Sequence, residues 1–99
     1  MKIILDDRRP MQDFGPYNCV RTYDECIFLI RNFHTVSFIS LDYDLGESKT
    51  GYDVLTYMTE NGNEVKHINI HSDHRVGVAK MREYVKAHFP DAELTFNPL

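Results

Sequence analysis

Three short clusters in this chain hold the side chains with most chemistry to offer: Asp6-Asp7, Asp42-Tyr43-Asp44 and His71-Ser72-Asp73-His74. Each directly follows an apolar run of the kind that forms a buried strand: Ile3-Ile4-Leu5, Val36 to Leu41 and Ile68-Asn69-Ile70. Carboxylates gathered at one edge repel each other, and they are relieved either by protonation or by a bound divalent cation. An all-oxygen set selects Mg²⁺, Mn²⁺ or Ca²⁺ over zinc, whereas His71 or His74 in the ligand shell makes Mn²⁺ or zinc more competitive. Plainer readings exist for each cluster alone. Asp-Asp after a strand is often a turn or a helix cap, and His71-Ser72 reads equally as a buried histidine and a cap. Asp42-x-Asp44-x-Gly46 is part of a calcium-loop pattern, but the glycine comes too early and no acidic residue completes it. Their shared position after successive strands favours a real site.

The elements that would position these residues follow from periodicity. Arg8 to Asn18 carries Pro10, Gly15 and Pro16, too many breakers for a helix, and Cys19-Val20-Arg21 reads as an edge strand. Thr22 with Glu25 forms a capping box, and Cys26, Ile27, Ile30 and Phe33 recur at helical spacing, predicting a helix over Tyr23 to Phe33. A second helix opens at Gly51 and stops at Asn61-Gly62-Asn63. A third runs from Ser72 or Asp73 as cap to about His88, with Val78, Met81 and Val85 on one side and Pro90 beyond. Leu94-Thr95-Phe96 is the last strand. Strands alternating with helices of ten or more residues predict one α/β domain, its parallel sheet covered on both faces and its ligand site beyond the carboxyl ends of the strands.

Composition narrows the function classes. The 99 residues, 42% hydrophobic, suit one domain. Eleven scattered Lys and Arg against fifteen Asp and Glu give a net charge of −4, which argues against non-specific duplex nucleic-acid binding but leaves room for one small phosphorylated ligand. Cys19 and Cys26 match neither a zinc spacing nor a disulfide framework, and they read as buried or half-buried thiols. No run approaches the roughly 20 apolar residues of a membrane span, and no signal-peptide pattern is present, so a cytoplasmic location is expected. His34, His67 and His88 read as surface residues. The tyrosines show no stacking pattern for single strands.

Several of these features resemble the receiver domains of two-component response regulators: the acidic pair Asp6 and Asp7, Asp42 after the middle strand, Gly51 opening the next helix, Ser72 after the following strand, and Asn97-Pro98 after the last. That resemblance implies Asp7 and Asp42 as Mg²⁺ ligands, Asp6 acting through water, and Asp42 as phosphoacceptor. The receiver lysine is Asn97 here, a Pro/Gly loop replaces the first helix, and the final helix is missing. With these departures, LDDRRP, VRTYDE, SLDYDLG, TGYDVL and IHSDHRVG more closely resemble the cyclic-phosphate-processing receiver domains. The implied fold is a flavodoxin-like, receiver-like three-layer domain with the first and last receiver helices lost or reduced. The implied activity is sensing or hydrolysis of cyclic phosphates or nucleotides made in RNA repair and antiviral conflict. Two positions depart from that group's pattern, Tyr43 standing for its His and His74 for its Asn.

The leading expectation is a phosphoesterase dependent on Mg²⁺ or Mn²⁺ and acting on a cyclic phosphate. In it Asp6, Asp7, Asp42 and Asp44 hold the cation, and His71, with an ordinary pKa of about 6.5, moves a proton. Arg8 and Arg9 clamp the phosphate, and Ser72 and His74 bind it beside the helix start. A rival reading is a module that captures a cyclic nucleotide uncleaved, as a sensor or sponge, with a homodimer enclosing the ligand. A phosphoacceptor receiver and a metal-free scaffold are the remaining alternatives.

Overall fold

The computed structural model describes residues 1–8, 15–33 and 35–98. Arg9 and His34 therefore lie outside the described residues, as does most of the loop that replaces the first receiver helix. Five strands, β1 (Lys2–Leu5), β2 (Tyr17–Val20), β3 (Val36–Leu41), β4 (Val65–Ile70) and β5 (Glu93–Thr95), form one sheet in the order β2-β1-β3-β4-β5, every pair parallel. This is the flavodoxin-like order, and it puts the topological switch point between β1 and β3.

Helices α1 (Tyr23–Asn32), α2 (Gly51–Glu60) and α3 (Arg75–His88) supply three of the crossovers. Helix α1 begins as expected, with Thr22 Oγ1 accepting from the Glu25 N–H and the Glu25 carboxylate accepting from the Thr22 N–H. Helix α3 begins later than expected. Its cap is His74, whose Nδ1 accepts from the Gly77 N–H at 2.9 Å, while Ser72 Oγ accepts from the His74 N–H. An imidazole nitrogen with a lone pair does here what a Ser or Asp oxygen usually does.

Strand alternation decides which side chains meet the helices. Ile3, Leu5, Ile39, Leu41, Ile68 and Ile70 face one way and join Cys26, Ile30, Leu55, Met58, Met81 and Val85 in a single core cluster. All three helices thus lie side by side on one face. The other face carries Ile4, buried but outside that cluster, an edge-on row of Tyr17, Phe38 and His67, and the enclosed polar pair Ser40 and Asn69. Among the described residues no helix lies on this second face. No helix among the described residues is long and apolar enough to cross a membrane.

Candidate functional site

The register brings Asp6, Asp42 and His71 together. Leu5 pairs with Leu41, and Leu41 with Ile70, so the first residue beyond each of three adjacent strands falls side by side at the strand spacing. The ladder continues through them: the Asp6 N–H donates to Val20, the Asp42 N–H to Leu5 and the His71 N–H to Leu41, each at 3.0 or 3.1 Å. One ligand atom from each of Asp6, Asp42 and His71 lies within 4.8 Å of the others. This trio lines a cavity of about 500 Å³. Asp44, Asp73, Arg8 and His74 also line it, and Phe96 and Pro98 form its apolar wall.

The carboxylates are held differently. Asp6 Oδ1 accepts from the Arg8 N–H, and Oδ2 lies 3.1 Å from His71 Nε2. Asp42 titrates above the ordinary carboxylate value. Burial is the main cause, helped by the nearby charges of Asp6 and Asp7, while a hydrogen bond with Ser72 and the His71 ring pull the other way. Asp44 is exposed and closes a tight turn, its Oδ1 accepting from the Gly46 N–H. Asp7 does not line the cavity. Its Oδ2 would stand 3.1 Å from a Cβ at Gly46, and its Oδ1 is buried with no hydrogen-bond partner. An ionised oxygen enclosed without a donor is costly unless a cation answers it. The divalent cation implied by the receiver resemblance therefore fits this set: an oxygen-rich group, an orphaned carboxylate oxygen and a neighbouring carboxyl whose titration burial shifts upward.

The remaining candidates are partly committed to the protein. The Ser72 hydroxyl bonds to Asp42 and accepts from His74. His74 uses Nδ1 as the cap of α3, and its ring lies against Tyr43 with centroids 4.6 Å apart. A Cβ at Gly77 would overlap that Tyr43 ring. The two positions that depart from the group's pattern are thus in contact with each other.

Sequence reasoning missed a chain of polar side chains behind the site. His71 Nδ1 lies 2.6 Å from Ser40 Oγ, which accepts from Asn69 Nδ2 at 2.9 Å. Asn69 also clasps the main chain of Asn97 through both its amide atoms, each at 2.8 Å. His67, expected at the surface, is half-buried and bonds to Thr95 at 2.7 Å. Neither residue type carried a signal alone, because Ser40 and Asn69 matter through the register that sets them opposite each other. Asn69→Ala would leave Ser40 and the Asn97 main chain without this partner, so a loss of about 2–4 kcal/mol in urea-induced unfolding is expected.

The family model of the cyclic-phosphate processing receiver domain matches residues 1–87. The chain belongs to that family. No curated protein and no solved structure matches it. In this cyclic-phosphate processing receiver domain, Asn97, two residues past β5 and read from sequence as standing where receivers carry a lysine, is engaged through its main chain. A small phosphorylated ligand is what the family's name suggests for the cavity.

Proposed function

We propose that this domain is a divalent-cation-dependent phosphoesterase that opens a cyclic phosphate, in a cyclic nucleotide or a nucleoside 2′,3′-cyclic phosphate. The observation that carries the reading is the delivery of Asp6, Asp42 and His71 by three adjacent strand ends into one cavity, in a chain of this family. Asp6 and Asp42 would hold Mg²⁺ or Mn²⁺, with the charge of Asp7 acting on Asp42 and Asp44 on the cavity wall. When bound, the cation draws charge from a phosphoryl oxygen and acidifies a water.

The chain's own groups do the rest. The Arg8 guanidinium, on the cavity wall, pairs with the phosphate, and His74 offers its outer nitrogen as a donor. Arg9 follows Arg8 in sequence and is proposed as a second phosphate contact. The Asp44 carboxylate, exposed on the cavity wall, takes a proton from the attacking water. Attack breaks one ring P–O bond, and the oxygen that leaves phosphorus takes a proton from solvent. One water is added: a cyclic mononucleotide gives a phosphomonoester, and a cyclic oligonucleotide gives a linear chain.

One observation favours capture without cleavage: His71 and Ser72, the obvious proton carriers, both bond to protein partners. Under that reading the domain is a sensor or sponge. Mass spectrometry of a cyclic-nucleotide panel incubated with protein and Mn²⁺, then released by denaturation, decides between them. Linear product is expected; bound but intact ligand would replace the enzyme reading with the binding one, and no bound ligand would remove both.

A further inference from the structure

Ser40 and Asn69 are enclosed, at 0% and 1% exposure, and they pair in register across β3 and β4. Enclosed polar atoms must place every hydrogen, and here the placement can be followed atom by atom. The Asn97 N–H donates to one end of the Asn69 amide and the Asn97 carbonyl accepts from the other, so the main chain fixes which atom is oxygen and which is nitrogen. The second hydrogen on Asn69 Nδ2 then goes to Ser40 Oγ at 2.9 Å. Ser40 has one hydrogen of its own, and His71 Nδ1 lies 2.6 Å away to accept it. With Nδ1 accepting, the ring hydrogen of His71 is on Nε2, which faces Asp6 Oδ2 at 3.1 Å. The other arm is consistent. Thr95 donates to Asn69 Oδ1 at 2.6 Å, so it accepts from His67 Nε2 at 2.7 Å.

We propose that Ser40 and Asn69 are positioning residues that hold His71 with its Nε2–H turned to Asp6 and its Nδ1 to Ser40, so that His71 steers Asp6 and offers no lone pair to a cation. The inference rests on the reading of the acidic cluster as a cation site. It removes His71 from the ligand set although its ring is within ligand distance of both carboxylates. The set that remains is all oxygen and prefers Mg²⁺ or Mn²⁺ to zinc. It also gives His71 a different part from the proton transfer expected of it, because Nδ1 is bonded to Ser40 and the Nε2 hydrogen to Asp6.

Long-range ¹H–¹⁵N correlation spectra of the cation-free protein test the tautomer directly. His71 should show a protonated Nε2 and an unprotonated Nδ1. Ser40→Thr should keep this pattern and Ser40→Ala should lose it, which loss of packing alone would not do. On titration of the wild type with Zn²⁺, the Nε2 resonance should keep its protonated shift. Ser40→Ala should favour Zn²⁺ over Mg²⁺ by roughly tenfold more than the wild type does. A protonated Nδ1 in the cation-free wild type, or loss of the Nε2 hydrogen on adding Zn²⁺, would overturn the proposal. If the tautomer is as stated but neither Mg²⁺ nor Mn²⁺ raises the melting temperature, the cation reading fails while the assignment of Ser40 and Asn69 stands.

Discussion

Asp42→Asn should reduce ring opening by about 10³-fold or more and at the same time make the cation-free protein more stable. The two effects have one origin. Burial and the charges of Asp6 and Asp7 hold the Asp42 carboxyl above its ordinary value of 3.8. The folded chain therefore takes up this proton at a higher pH than the unfolded chain does. Its contribution to stability is fully present below the unfolded value and is lost as pH rises through the raised folded value. Above that raised value the ionised carboxylate is a net cost, chiefly through its burial, and an amide of the same shape has no charge to desolvate and removes a like-charge contact worth on the order of 1 kcal/mol. Melting temperatures measured from acid to neutral pH should fall less steeply in the variant. Added Mg²⁺ should restore the wild type and do little for Asp42→Asn. A variant that is less stable than the wild type at neutral pH without cation would contradict this account of the site.

Gly51→Ala should destabilise the domain by about 2–3 kcal/mol, although alanine is ordinarily the better helix former by up to about 1 kcal/mol. The reason lies in what the helix touches. A Cβ at Gly51 would overlap the Asp42 carbonyl oxygen, stand 3.1 Å from its carbonyl carbon and 3.3 Å from Met81 Sδ. Two of these atoms are main chain, so the strand end itself must move. The Gly51 N–H also donates to the Tyr43 carbonyl, tying the start of α2 to the same turn. Displacing Asp42 should lower activity together with stability, and urea unfolding alongside turnover should show both falling. A neutral or stabilising result would mean that the close packing of α2 on the β3 end is not needed to hold Asp42.

Much of this was legible from residue types. The runs Ile3–Leu5 and Val36–Leu41 are central strands, and Asp6, Asp42 and His71 announce themselves as the first residues past apolar runs. Their convergence needs only a parallel sheet in matched register. Thr22 and Glu25 mark the start of α1 without ambiguity. Strand β4 began earlier than its apolar stretch, because Lys66 is exposed and His67 half-buried, on either side of the pleat. The cap of α3 was misplaced because serine and aspartate are the usual acceptors and histidine is not. Ser40 and Asn69 gave no separate warning. Their importance depends on facing each other across two strands, which is a property of register rather than of either residue. The two expected layers of helices became one for a related reason: the crossovers through α1, α2 and α3 all run the same way across the sheet, and the segments that would return over its other face are not helices among the described residues.

A crystal soaked with Mn²⁺ and a phosphorothioate cyclic nucleotide, read by anomalous scattering, tests the central claim most directly. The account predicts a manganese peak between Asp6 and Asp42, with a phosphoryl oxygen of the ligand on the side of Arg8 and His74. Manganese elsewhere on the surface, or ligand density away from the strand ends, would contradict it.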